Sequence, residues 1–256
     1  GDLPLLNRAT AGLYPPGSTF KMITAASAIE NKEGITNRTF QDKGSITIGK
    51  DYILRNDSNE VLGNIDLKRA FAKSSNVVFG SLGIELDDKL KKTAEKFMFN
   101  TDIESDGIVI NNSKFPSYNS SEPGNQAQSA IGQAEVLATP MEMALVAGTI
   151  ANDGVMMKPH LVSKILDNVG KTYKEIKAEE INRVISSDTA SLLREYMRDV
   201  VVSGTGTNAN VPGVNVAGKT GTAESGDGNN SHAWFVGFAP YENPEIAVAV
   251  IAENAG

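Results

Sequence analysis

Leu13-Tyr14-Pro15-Pro16-Gly17-Ser18-Thr19-Phe20-Lys21-Met22-Ile23-Thr24-Ala25-Ala26-Ser27-Ala28-Ile29-Glu30 opens on two prolines and a glycine, a rigid punctuation mark, and then runs as a helix apolar almost all round. Such a helix is expected at the centre of a core, with Asn31 to Gly34 stopping it. Its first turn sets Ser18 three residues before Lys21, and residues three apart share a helix face. A serine hydroxyl is a poor nucleophile until a nearby base takes its proton. Lysine can be that base once burial or the positive end of a helix destabilises its ammonium. Chance supplies Ser-x-x-Lys in most chains of this length, so the pattern gains weight only from its setting. Here the setting would hold a lysine inside a core, where lysine is seldom found without a reason. A lysine that snorkels to solvent is the bland alternative.

Two further motifs stand downstream. Ser74-Ser75-Asn76 breaks the chain between a short helix, Asp66 to Ala72 with Asn64 or Asp66 as its cap, and an apolar pattern over Val77 to Leu82. A hydroxyl and a carboxamide in one tight loop can relay a proton and hydrogen-bond a substrate amide. A plain helix cap would use the same residue types. Lys219-Thr220-Gly221-Thr222 ends a strand read over Val214 to Thr220. A cation and two hydroxyls there could grip a carboxylate, and exposed edge backbone could take an extended peptide as an added strand. Gly221 would let that backbone come close. Gly213 to Thr220 also fits the literal phosphate-loop pattern G-x-x-x-x-G-K-[ST]. That motif needs a helix beginning at the Lys-Thr, and Gly221-Thr-Ala-Glu-Ser-Gly-Asp-Gly cannot form one, so nucleotide binding is set aside.

Around these motifs the patterning describes an α/β (α+β) chain. Gly44 to Asp57 reads as short strands or extended loops, Asp87 to Phe99 as an amphipathic helix with Leu90, Ala94, Phe97 and Met98 on one face, and Asn100 to Gln128 as an irregular loop. Thr139-Pro140 opens a helix to about Ala151 with a capping hydroxyl and a first-turn proline. Another helix runs from Ser187 to Val202 and closes at Ser203-Gly204-Thr205-Gly206. His232 to Phe238 and Glu245 to Ile251 read as strands joined by hairpin-like loops, the latter apolar enough to be covered on both faces. An antiparallel sheet is expected.

Composition removes several classes of function. The 256 residues are 40% hydrophobic and 21% charged, ordinary for a globular chain able to bury its own core. A net charge of -7 argues against nucleic-acid binding, which needs a basic face. The absence of cysteine excludes thiol chemistry, and two distant histidines leave no metal-ligand spacing. No cofactor and no metal are expected. No run of 18 apolar residues is present.

Taken in order, Ser-x-x-Lys, Ser-x-Asn and Lys-Thr-Gly match the signature of the serine penicillin-recognising enzymes. The chain resembles the penicillin-binding proteins, the class B peptidoglycan D,D-transpeptidases above all. The likeness extends through Asn7-Arg8-Ala9-Thr10, Gly132-Gln133 with Thr139-Pro140-Met141-Glu142-Met143-Ala144, Lys219 to Glu224 and His232 to Pro240, essentially the whole chain. The resemblance implies an antiparallel sheet flanked by helices plus an all-helical lobe, with the family's first strand region and last helix lacking. It implies one transpeptidase domain over residues 1–256, mainly helical over about 18–185 and sheet over about 186–256. Ala134 stands where many relatives have a second glycine.

The same resemblance implies a mechanism. Ser18 would attack the carbonyl between two terminal D-alanines of a peptidoglycan stem peptide, with Lys21 as general base. Ser74 would pass the proton on, and Asn76 would hold the substrate backbone and Lys21. Lys219, Thr220 and Thr222, with Gly221 between them, would bind the terminal carboxylate. Backbone N–H groups of Ser18 and Thr222 would form the oxyanion hole. An acceptor amine would complete the cross-link, water would make the enzyme a D,D-carboxypeptidase, and β-lactam antibiotics would acylate Ser18. A serine β-lactamase needs a water-activating glutamate, and Glu104 is not convincingly placed for it. A non-catalytic β-lactam sensor is the alternative of another class. The family also implies a membrane-anchored parent that acts on the extracytoplasmic face and associates with other cell-wall synthesis proteins. His232 and Trp234 are read as structural.

Overall fold

A computed structural model describes residues 5–118, 121–224 and 231–255. After a single turn, α1 (Arg8–Ala11), the proline-glycine segment leads into a 3-10 turn, Gly17–Phe20, and α2 (Lys21–Asn31). The nucleophile candidate therefore lies in the tight turn, and the α-helix proper starts at Lys21. Phe20, Met22, Ile23, Ala25, Ala26 and Ala28 are wholly buried. Full burial of a large apolar side chain stabilises by roughly 1.5–3 kcal/mol. The polar residues of α2 are satisfied within the core: Thr24 Oγ1 donates to the Ala130 carbonyl at 2.7 Å, and Thr93 Oγ1 donates to Ser27 Oγ at 2.9 Å. This is why an all-round apolar helix sits at the centre.

The chain continues through β1 (Phe40–Asp42), β2 (Ser45–Ile48), β3 (Tyr52–Arg55) and β4 (Gly63–Ile65), and then α3 (Leu67–Ala72), α4 (Asn76–Leu86) and α5 (Asp88–Lys96). Strands β1 and β4 pair antiparallel, as do β2 and β3. Asp66 is the cap of α3, accepting from Arg69 N at 2.7 Å, and Ser75 caps α4 through Val78 N at 3.0 Å. Next come α6 (Pro123–Ala130), α7 (Pro140–Ala151), β5 (Val155–Met157), β6 (Lys164–Leu166), β7 (Thr172–Glu175), β8 (Glu180–Arg183) and α8 (Ser187–Ser203). Thr139 caps α7 by accepting from Glu142 N at 3.0 Å. Helices α4, α5 and α8 pack around α2.

The last segment forms β9 (Ala217–Ala223), β10 (His232–Ala239) and β11 (Ile246–Ala252), an antiparallel sheet in the order β11-β10-β9. Thr220 lies opposite Phe235, and Phe235 opposite Val250. Helix α8 packs on β9, and α7 packs on β10 and β11.

Several expectations need correction. Helix α6 falls inside the stretch read as irregular. Its sequence is polar, but Ala127 and Ala130 are wholly buried against α4, where Gly83 carries no side chain to block Ala130. Strand β9 starts at Ala217, so Lys219 to Thr222 lie along its middle and not at its end. Strand β11 is not covered on both faces: Ile246 is 63% exposed and Val250 57%, while Ala247, Ala249 and Ile251 turn inward. Its alternation is between large and small apolar residues, which hides the period of two. The region expected as an all-helical lobe also carries four two-stranded ribbons, β1-β4, β2-β3, β5-β8 and β6-β7. Part of the predicted loop Glu224 to Ser231 lies outside the described residues. Among those described, no helix is long and apolar enough to cross a membrane.

Candidate active site

Three pieces of chain meet around Ser18. The turn that carries it is wedged between α6 and β9 by glycines. Gly17 has φ +54°, and a Cβ there would lie 2.4 Å from the Thr222 carbonyl oxygen. Gly17 N donates to the Gly132 carbonyl at 3.0 Å, and a Cβ on Gly132 (φ +74°) would lie 2.1 Å from the Gly17 carbonyl oxygen. Gly221 completes the wedge, since its Cβ would meet Thr19 N at 3.0 Å. The close approach expected at Gly221 is thus made by the serine turn itself. Left-handed backbone strains any residue with a side chain, and the contacts here forbid one outright.

Lys21 is wholly buried and projects from the first turn of α2 towards the Ser74 loop. Its Nζ donates to the Ser74 carbonyl at 2.8 Å, Ser74 Oγ at 3.1 Å and Asn76 Oδ1 at 2.7 Å. Ser74 has φ 57°, a left-handed conformation that aims both its carbonyl and its hydroxyl at the amine. From the opposite side Lys219 Nζ, also wholly buried, donates to Ser74 Oγ at 3.0 Å and to the Thr220 carbonyl at 2.9 Å. Burial pushes the Lys219 ammonium down to about 7. Lys21 is held well below the ordinary lysine range, first by burial and then by Lys219 facing it.

Ser18, Ser74, Asn76, Thr220, Gly221 and Thr222 line one cleft of about 760 Å³. Neither lysine lines it. Lys219 meets the cleft through the hydroxyl of Ser74, which lines it. Ser18 N–H and its hydroxyl donate to no acceptor among the described residues. The Thr222 carbonyl leaves β9 on the edge facing Gly17, and in an extended strand the N–H of the same residue leaves by that edge too.

Sequence reasoning missed residues that join only in space. Thr205 lines the cleft and shares a 2.5 Å hydrogen bond with Thr220 through their Oγ1 atoms. Thr205 N donates to the Ala72 carbonyl at 3.0 Å, which ties the turn after α8 to α3. The glycine-flanked Ser203-Gly204-Thr205-Gly206 was the available signal, because a Cβ on Gly204 would sit 2.3 Å from the Ala72 carbonyl oxygen. Asp42 and Asn56, which support the Ser74 loop from behind, gave no signal at all.

His232 and Trp234 take the structural roles expected. His232 Nδ1 accepts from Asn254 N at 3.1 Å, and Trp234 Nε1 donates to the Pro15 carbonyl at 3.1 Å, pinning the segment before Ser18. Glu104 lies in a separate depression with Asp102, Ser105 and Lys158, away from Ser18. Among the described residues no group of His, Asp and Glu could hold a metal ion.

With two buried lysines meeting one serine beside a half-buried one, the family comparison is decisive: the model of the penicillin binding protein transpeptidase domain matches residues 2–256. The chain belongs to that family. It is 37% identical over 265 residues to the peptidoglycan D,D-transpeptidase PbpA of Mycolicibacterium smegmatis, covering 99% of this chain and 52% of that protein. Among solved structures, the D,D-transpeptidase domain of a peptidoglycan glycosyltransferase from Eggerthella lenta superposes with a TM-score of 0.93 at 37% identity, covering 100% of this chain and 64% of the other. Penicillin-binding protein A from M. tuberculosis, in an imipenem acyl-enzyme complex, gives a TM-score of 0.90 at 34% identity over 99% of this chain and 58% of that one. The chain spans about half the length of the curated relatives it matches.

Proposed function

We propose that this penicillin-binding domain is a serine D,D-transpeptidase that cross-links peptidoglycan through an acyl-enzyme on Ser18, and that β-lactams acylate the same hydroxyl. The observation that carries the reading is the meeting of Lys21 and Lys219 on Ser74 Oγ beside the cleft that Ser18 lines. A neutral Lys21 has two N–H bonds and a lone pair. The Ser74 carbonyl and Asn76 Oδ1 can only accept, so the lone pair turns to a hydroxyl, that of Ser74 or of Ser18. A proton taken from Ser18 then has a path through Lys21 and Ser74 to the departing D-alanine.

Asn76 holds Lys21 and the stem-peptide backbone. Thr220 and Thr222 receive the terminal carboxylate, with Lys219 supplying positive charge from behind them, and Gly221 keeps the strand against the serine turn. The N–H groups of Ser18 and Thr222 stabilise the oxyanion, where one such donor is worth about 2.7–4 kcal/mol. The stem peptide lies along β9 as an added strand, which the free edge next to Ser18 permits. The cleft then divides a mainly helical lobe, about residues 18–185, from a sheet lobe, about 186–256. In the parent protein this domain would work on the extracytoplasmic face of the membrane, among other cell-wall synthesis proteins.

Intact-mass measurement after incubation with penicillin tests the assignment. One added penicillin mass is expected on the native chain and none on Ser18→Ala. An adduct that persists on Ser18→Ala, or none on the native chain, overturns it.

A further inference from the structure

Behind the Ser74-Ser75-Asn76 turn lies a second polar cluster centred on Asp42 and Ser75, neither of which lines the cleft or bonds a lysine. Asp42, at the end of β1, is wholly buried. Its Oδ1 accepts from Gly44 N at 2.8 Å and from Asn56 Nδ2 at 2.8 Å. Its Oδ2 accepts from the same Asn56 amide at 2.9 Å and from Ser75 Oγ at 2.5 Å. Asn56 in turn accepts from Val77 N through Oδ1 at 3.1 Å, and Ser75 Oγ accepts from Val78 N at 3.0 Å. Asn76 Nδ2 is held by the Arg55 carbonyl at 2.9 Å. The two ribbons β1-β4 and β2-β3 thus grip the start of α4 at Ser75, Asn76, Val77 and Val78.

A carboxylate taken out of water is costly unless its lone pairs are filled, and three donors fill them here, Gly44 N, Ser75 Oγ and an Asn56 N–H shared by both oxygens. That arrangement is expensive to build for helix capping alone, since Ser75 caps Val78 without any help from Asp42. What it adds is a fixed position for Ser75, whose neighbour Ser74 is held in a left-handed conformation that persists only where the surroundings over-determine it. With Ser75 free, Ser74 would relax towards ordinary helix, and its hydroxyl and carbonyl would swing away from Lys21.

We infer that Asp42 is a positioning residue of the acylation machinery, acting through the Ser75 hydroxyl to hold Ser74 between Lys21 and Lys219. The inference rests on the proposed role of Ser18 and Ser74. Its consequence is that a ribbon without cleft-facing chemistry sets the reaction rate. Asp42 also contributes negative charge that favours the protonated form of Lys21.

The test is stopped-flow acylation by a fluorescent penicillin, with the rate of labelling and the fraction labelled read separately. Asp42→Asn and Ser75→Ala are each expected to slow the second-order rate about tenfold while the labelled fraction stays near that of the native chain. The double variant is expected to be no slower than the slower single one, because both act through one contact. Rates within twofold of native in both single variants overturn the inference. So does a fall in the labelled fraction at unchanged rate, which is loss of folded protein and nothing more. Strictly additive losses in the double variant also overturn it. Should Asp42→Asn not fold, Ser75→Ala decides alone by its rate, since it leaves the bonds of Asp42 to Gly44 and Asn56 intact. Labelling that survives Ser18→Ala defeats the site assignment itself and is distinct from all of these.

Discussion

Lys21 and Lys219 converge on a single oxygen: their Nζ atoms lie 3.1 and 3.0 Å from Ser74 Oγ. Two buried ammonium groups sharing one hydroxyl cannot both stay charged cheaply. Burial lowers both, Lys219 to about 7, and Lys21 is lowered further by Lys219 facing it, so the two differ in what holds them down.

That difference fixes the sign of a pH experiment. Lys219 holds the Lys21 pKa down, so Lys219→Gln should let Lys21 keep its proton to higher pH. The acid limb of the acylation profile is expected to move upward. The maximal rate should also fall, because Lys219 holds Ser74 Oγ and supplies the positive charge behind Thr220 and Thr222. The pH dependence of the second-order rate with a β-lactam is the measurement. A limb that stays put or moves down would show that Lys21 titration does not govern the reaction.

Gly132→Ala should damage both stability and reactivity. The new Cβ would sit 2.1 Å from the Gly17 carbonyl oxygen in a left-handed backbone. The conformation alone costs about 1–2 kcal/mol, and the clash must displace the Ser18 turn as well. Urea unfolding is expected to show a loss above about 2 kcal/mol, and penicillin labelling to slow more than a hundredfold even where the chain remains folded.

Ala134→Gly should do the opposite. Ala134 has φ 58° and is exposed, so glycine relieves backbone strain and forfeits no packing. Relief of about 1–2 kcal/mol against an unfolded-state cost of about 0.4–1 kcal/mol leaves a net gain of about 0.5–1 kcal/mol. A higher urea midpoint at unchanged slope is expected.

Glu142→Gln should reveal a pH-dependent weakness of the core. Glu142 is wholly buried, and neither carboxyl oxygen has a hydrogen-bond partner among the described residues. Burial pushes its carboxyl well above the usual carboxylate range. A raised folded pKa gives stability that is complete below the unfolded value and lost as pH rises towards the folded one. The native chain should therefore lose stability relative to Glu142→Gln from pH 4.5 upward, by about 1.4 kcal/mol per pH unit until the folded pKa is reached. Urea unfolding of both chains at pH 5 and pH 8 measures the widening gap, and a constant gap would show that Glu142 is ionised in the fold.

Much of the site was legible because its groups come in short contiguous motifs. Ser18 and Lys21 lie on adjacent turns, Ser74 and Asn76 share a loop, and Lys219 to Thr222 form one strand segment, so local spacing already puts each set together. Asp42, Asn56 and Thr205 could not be read that way. Each reaches the site by a contact whose partner lies 14 to 33 residues away, as in the hydrogen bonds to Asp42 from Asn56 and Ser75 and that between Thr205 and Thr220. The central helix was visible because burial on every side leaves an unbroken apolar run. Helix α6 was not, because its buried face is made of Gln126, Ala127, Ser129 and Ala130, small or polar residues that mimic a loop. The antiparallel sheet was foreseen, but the burial of β11 was not, since alanine and valine look alike to a pattern that asks only whether a residue is apolar.

The glycine wedge that seats Ser18 against Thr222 has a bearing on biogenesis. Ser18 and Thr222 lie 204 residues apart in the sequence, yet Gly17 meets Thr222 while Gly221 meets Thr19. Such distant partners meet late in folding. A nascent polypeptide in which β9 is still unmade would carry an unclamped serine, and antibiotic capture would begin only once that strand had docked. Radiolabelled or fluorescent drug would then count molecules with that strand docked and pass over folding intermediates that lack it.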